Sequence, residues 1–352
     1  MGMLSAKRFR FLALVLASFA ALLAHAEERI ASNREIYLYQ GADRAQRLIS
    51  QAKKEGGLTL YTTLNLKDAA PLVEAFEKKH AVKVTLWRSG DQKVVQRVIA
   101  EARAGKHAVD VLEGNGPGME MLYRENLLEE FYSPAFSDIP KEAFPRHRHY
   151  APDNFLFFVM GYNTQLVKPD EVPNSYEDLL QPKWIGKLGI EESDIDWFAA
   201  VAKAMGEEKG LAYFKKLAAM KPQLRTGHTL MAELVAAGEI PIALTLYNQS
   251  VEGLKKKGAP IDWKPLPPAF GRTDGIGVAR HAPHPHAALL FVDFVLSKEG
   301  QQIIHSRNRV PVSRAVESPL KKFDYRLIDL ATTLDEWDVW EKRWQGLFLK
   351  GR

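Results

Sequence analysis

Between Leu58 and Gly118 the spacing of apolar residues alternates between two periods. Leu58-Thr-Leu-Tyr-Thr-Thr-Leu64 is a β-rich run, and the residues after it place Leu72, Val73 and Phe76 on one helix face. Val82 to Trp87 alternates apolar and polar residues. Arg88-Ser89-Gly90-Asp91 then opens a helix with Val94, Val95, Val98, Ile99 and Ala102 on one side. Val109 to Leu112 reads as a third strand, and Glu113 to Gly118 leads into a third helix. Short strands alternating with amphipathic helices predict a parallel sheet with helices on its faces. Ligands bind beyond the carboxyl ends of the strands in such sheets. The turns Thr62–Asn65, Arg88–Asp91 and Glu113–Gly118 are therefore expected to form one wall of a ligand site.

The same alternation resumes later. Phe155 to Met160 is a dense apolar run suited to a buried strand, after an irregular, Pro-rich and charged segment from Phe131 to Arg148. Lys168 to Asn174 is a turn-rich linker. Beyond it lie a strand at Lys187–Glu191, a helix with Ile195, Phe198, Ala202 and Met205 inward, and a helix at Leu211–Met220. A further helix follows Thr226-Gly-His-Thr229, and a strand at Ile240–Tyr247 precedes helical residues from Asn248. Pro265-Leu-Pro-Pro268 is a second linker, followed by a strand at Gly275–Ala279 and a long helix from Pro285. This predicts an α/β protein of two lobes, one interrupted by the other. The expected divisions are 1–26 leader, 27–56 polar segment and helix, 57–160 first lobe, 161–267 second lobe, 268–314 return to the first lobe, and 315–352 a helical extension packed on a lobe. Two crossings, near 150–165 and 265–274, permit hinge closure.

Composition narrows the class. The chain has 352 residues, 46% hydrophobic and 26% charged, as expected of a globular protein with a sizeable core. Lys7, Arg8 and Arg10 precede a 13-residue apolar run, Phe11–Leu23, and Ala24-His25-Ala26. That is the layout of a cleaved secretion signal, and the run is shorter than the roughly 20 residues that span a bilayer. Its removal takes three basic residues and lowers the formal charge from +5 to +2. With no basic stripe interleaved with aromatics, no nucleic-acid partner is expected. There is no cysteine, so disulfides, thiolate metal centres and a cysteine nucleophile are excluded. A soluble exported protein is expected.

Other motifs carry less. Gly114-Asn-Gly-Pro-Gly118 lacks the Gly-Lys-Ser/Thr ending of a P-loop and the spacing of a dinucleotide fingerprint. His147/His149 and His281/His284/His286 lack zinc-hydrolase spacing, and no Gly-x-Ser-x-Gly elbow is present. Trp337, Trp340 and Trp344 fall at the spacing of a core-facing helical stripe.

In this setting the chain resembles periplasmic solute-binding proteins of bacterial ABC importers, in the group with ferric-iron and aminoethylphosphonate binders. The residues carrying the resemblance are Leu58-Thr-Leu-Tyr-Thr-Thr, Arg88-Ser-Gly-Asp, Ala108-Val-Asp-Val, Gly238-Glu-Ile-Pro-Ile-Ala-Leu, Lys257-Gly-Ala-Pro and the run from Phe291 to Ile303. The resemblance implies the type II periplasmic-binding fold, a cleft that closes on a small molecule, and a membrane permease as partner. It implies no cofactor and no catalysis, and a monomer is expected. Expected ligand contacts are Thr62, Thr63, Asn65, Arg88, Ser89, Glu113 and Asn115 from the first lobe. Tyr162, Ser193, Asp194, Trp197, His228, Tyr247 and Asn248 are expected from the second. Ser89 also reads as a helix cap, and Trp197 as rim packing. Ferric binders of the group resemble one another in an adjacent Tyr pair, whereas here Tyr247 is followed by Asn248 and Gln249. The expected ligand is thus a small polar solute, acidic or phosphonate-like, with ferric iron or a ferric chelate as the alternative. A cleft hydrolase or transferase and a sensory binding module are the readings from other classes.

Overall fold

The computed structural model describes residues 33–349; the expected secretion signal lies outside them. Twelve strands form one mixed sheet. They are β1 (Gly57–Thr62), β2 (Lys83–Arg88), β3 (Val111–Asn115), β4 (Leu128–Glu129), β5 (Ala151–Asn163) and β6 (Leu188–Glu191). The rest are β7 (Gln223–Arg225), β8 (Ile242–Tyr247), β9 (Ile261–Lys264), β10 (Ala269–Ala279), β11 (Val310–Pro311) and β12 (Tyr325–Leu327). Their main order is β2-β1-β3-β10-β5-β8-β6-β7. Each wing is parallel, β1 with β2 and β3 on one side and β6 with β7 and β8 on the other. The long strands β5 and β10 run antiparallel between the wings and join them. This is the two-lobed α/β arrangement expected from the alternating periods.

Local chemistry sets the element ends. Asn65 caps the helix Leu66–His80 by accepting the Asp68 N–H. Gly238, at φ 81°, closes His228–Ala237 in the left-handed conformation that glycine adopts without a Cβ clash. Asp110, just before β3, accepts the Thr59 and His284 N–H groups on its carboxylate. β10 begins at Ala269 rather than Gly275, so the strand includes Arg272 and Asp274. The segment 131–148 is irregular, as expected, but Phe131, Ile139 and Ala143 are buried.

One apolar core runs along a face of β5 from Phe155 and Phe157 in the first wing to Leu246 and Val251 in the second. A second lies under the helices Ile195–Ala204 and Glu207–Ala219. The tail helix Trp337–Phe348 completes it, with Trp340 and Trp344 each 1% exposed. No helix among the described residues is long and apolar enough to cross a membrane.

Candidate functional site

The sheet order brings the carboxyl ends of β1–β3 and of β6–β8 toward one another across β5 and β10. Asn154 pairs with Asp274, Leu156 with Arg272, and Phe158 with both Phe270 and Tyr247. Opposed residues in an antiparallel pair share a face. Arg272 and Asp274 therefore project together from the floor between the lobes.

Arg272 organises the second-lobe wall. It donates to Asp196 Oδ2 and to the Tyr247 hydroxyl, each at 2.5 Å. Its guanidinium lies over the Phe158 and Tyr247 rings. The His228 ring stacks on Tyr247, with centroids 3.9 Å apart, and its Nε2 lies 3.1 Å from both Asp194 oxygens. Burial pushes the Tyr247 hydroxyl well above its ordinary range, against the pull of Arg272. Beside this array Glu191 accepts from the Ser193 N–H and Oγ–H and from the Gly227 N–H. One ligating atom each of Glu191, Asp194 and His228 lie within 4.8 Å of one another.

The first-lobe wall is built around Glu113. Its Oε2 accepts from the Thr62 hydroxyl and from the Thr63 and Leu64 N–H groups, the last two at 3.0 and 3.2 Å. Burial, then Asp274, raises the Glu113 carboxyl to about 7. Asp91 accepts the Asn115 N–H at 3.3 Å, and burial, then Asp274, raises it to about 6.

The structure gathers some of the expected contacts and not others. Asp194, His228 and Tyr247 form one cluster. Thr63, Arg88, Ser89 and Asn115 are at least partly exposed at the first-lobe strand ends, and Arg88 forms no ion pair among the described residues. Ser89 does not cap the next helix; Gly90 holds that position. Thr62 is buried and committed to Glu113, itself buried, while Asn65 is bonded to Asp68. Ser193 is exposed with its hydroxyl on Glu191.

Three expected contacts stand elsewhere. Trp197 is 1% exposed and packs edge-on against Phe214, inside the second-lobe core. Asn248 is 0% exposed and donates to the Leu320 carbonyl. Tyr162 pairs with Ile242, at the other end of β8 from Tyr247. Trp197 and Asn248 each lie in the first turn of a helix that follows a strand, and both face inward there.

The expected contacts leave out Arg272, Asp274, Asp196 and Glu191, and also Asp91, although the turn Arg88–Asp91 is expected at the wall. A signal existed for two of them. Arg272-Thr-Asp274 sits between Phe270 and Ile276, and charges at same-face spacing inside an apolar strand are rarely buried without a partner.

A family model described as "Bacterial extracellular solute-binding protein" matches residues 71–323. The "Fe(3+)-binding periplasmic protein" of Serratia marcescens is 25% identical over 299 residues, covering 80% of this chain and 87% of that protein. Iron-bound HitA from Pseudomonas aeruginosa superposes with a TM-score of 0.72 at 22% identity, covering 82% of this chain and 99% of that one. AfuA from Actinobacillus pleuropneumoniae, with exogenous fructose-6-phosphate bound, gives 0.71 at 22% identity, covering 84% and 99%.

Proposed function

This chain belongs to the bacterial extracellular solute-binding proteins, and from that premise we propose that it captures a small polar solute between its lobes and delivers it to the membrane permease of an ABC importer. No reaction is catalysed; the solute favours the closed form because only that form offers both walls at once. The observation that carries this reading is the Arg272–Tyr247–His228–Asp194 array on the second lobe, opposite the open strand ends Thr63, Arg88, Ser89 and Asn115.

The mixed charge favours a zwitterionic or acidic organic solute. Arg88 is an exposed cation without an ion pair among the described residues, suited to a carboxylate or phosphonate. The stacked His228–Tyr247 face supplies a flat, partly apolar surface for the rest of the molecule.

One observation favours a second reading. Glu191, Asp194 and His228 form a group with metal-ligand spacing, beside Tyr247, and a relative is named for Fe(3+) binding. Tyr247 is followed by Asn248 and Gln249 rather than a second tyrosine, and its hydroxyl already accepts from the Arg272 cation, so the organic solute is the preferred cargo.

Native mass spectrometry of the protein as purified, then thermal shifts with aminoethylphosphonate, dicarboxylates, amino acids and ferric citrate, separates the two. A cargo at 100 times its dissociation constant stabilises the fold by about 2.7 kcal/mol. A shift with an organic acid and none with ferric citrate is expected. A visible tyrosinate band with iron, lost in Tyr247→Phe, would overturn the organic reading. Turnover of any probe would overturn the non-catalytic one.

A further inference from the structure

Three buried carboxylates meet beneath the cleft, where β3, β5 and β10 join. Asp153 is the extra residue of β5: pairing passes from Asp274 opposite Asn154 to Gly275 opposite Pro152 and skips it. Glu113, Asp153 and Asp274 are 2%, 1% and 2% exposed. Arg309 faces them, bonded to Asp274 Oδ2 at 2.9 Å, with its other nitrogens on Asn154 and on Asp68 of the helix Leu66–His80. Among the described residues, no other lysine or arginine bonds to any of the three. One guanidinium against three carboxylates leaves excess negative charge, which a low-dielectric interior does not hold.

Each carboxylate has one oxygen without a partner: Glu113 Oε1, Asp153 Oδ2 and Asp274 Oδ1. Glu113 and Asp153 line a common cavity of about 10 Å³, otherwise walled mainly by apolar residues such as Leu60, Leu72 and Phe291. That is about the space of one water and too small and dry for the oxygen shell of a hard cation. Their remaining oxygens differ. Glu113 Oε2 accepts from three donors, which pull toward its ionised form against the burial that raises it to about 7, whereas Asp153 Oδ1 accepts only from Asn154 Nδ2 at 2.9 Å. Burial, then Glu113 and Asp274, pushes the Asp153 carboxyl well above its ordinary range.

We propose that Asp153 is protonated at neutral pH, that its proton is directed across the cavity toward Glu113 Oε1, and that this contact holds the Thr62–Leu64 turn in place at the cleft wall. Asp153 is a positioning residue, acting through Glu113 and independently of which solute is carried. Ionising it places a second uncompensated charge beside Glu113 and loosens the turn, so the first-lobe wall responds to pH.

The test compares Asp153→Asn, which keeps the neutral shape, with the unaltered protein by urea unfolding from pH 5 to 8. Asp153 in the folded state holds a proton that the unfolded chain releases. The folded-to-unfolded ratio of the unaltered protein should therefore fall, relative to the variant, by about tenfold per pH unit. A relative ratio that is constant or rises with pH overturns the proposal. If the variant does not fold, the carbon-13 shift of the Asp153 carboxyl at pH 7 decides: the neutral-acid position supports the proposal and the carboxylate position overturns it. The positioning role has its own readout in the Thr63 and Leu64 amide shifts. Both amides donate to Glu113, whose carboxyl is raised to about 7, so they move near that pH in either protein; a further step as Asp153 ionises is expected in the unaltered protein alone, and identical movement in both overturns the role.

Discussion

Single side chains fix the chemistry of the cleft. Arg272 and Asp196 form a largely buried pair at 2.5 Å, with side chains 11% and 1% exposed. Replacing Arg272 by Gln strands Asp196 without its counter-charge, and such losses cost about 3–5 kcal/mol. Chemical denaturation should show that loss, and the double variant with Asp196→Asn should recover part of it. Arg88 is the opposite case, exposed and without an ion pair among the described residues. Arg88→Ala should leave the unfolding midpoint unchanged while weakening an acidic cargo by about tenfold, the scale of one charge-assisted hydrogen bond; calorimetric titration reads this. Asp91 makes stability depend on pH. Burial and Asp274 raise its carboxyl to about 6, against about 3.9 in an unfolded chain. The stability it contributes is fully present below about pH 4 and is lost as pH rises through 6. Asp91→Asn should flatten the pH profile of the melting temperature over that window.

Elements meet at close approaches that only glycine allows. A Cβ on Gly116, the first residue of the helix Gly116–Arg124, would lie 2.2 Å from a Leu330 methyl and 2.5 Å from the Thr273 carbonyl oxygen. The backbone oxygen belongs to the hinge strand and has little room to give. Gly116→Ala should therefore destabilise by about 1–3 kcal/mol, as overpacking does, and should disturb the tail helix Leu330–Asp335, visible as faster amide exchange there. At this scale the sequence was partly legible. Helical and strand periods are local, so the three strand–helix units were readable from spacing alone. Strand ends were less so: β10 was read from Gly275 because Arg272 and Asp274 look like loop residues until strand pairing supplies their partners.

At the scale of the whole molecule, the tail is a link between lobes besides the two hinge strands. Asp335 pairs with Arg124 on a first-lobe helix at 2.7 Å, and its neighbour Glu336 pairs with Lys203 on a second-lobe helix at 2.5 Å. These partly exposed pairs add little stability individually, but Trp340 and Trp344 bury the tail against Phe198. Ending the chain at residue 329 should uncover that aromatic cluster, lower the melting temperature, and widen the solute-free form in small-angle scattering.

The sequence by itself determined the alternation of strands and helices, the interrupted lobe, and the turns that end beside the cleft. These follow from periods of two and of 3.6 residues, which neighbouring positions along the chain set between them. Tertiary structure decided which polar side chains reach the site. Asn154 bonds to Asp274, 120 residues away, and Arg272 to Asp196, 76 residues away. No local period encodes such pairings; they arise where two long strands cross between lobes and bury charge that must find a partner or a proton. Trp197 and Asn248 turned inward for the same reason that Asp194 and Tyr247 stayed at the cleft: their position in the turn, not their chemistry, decided what each of them faces.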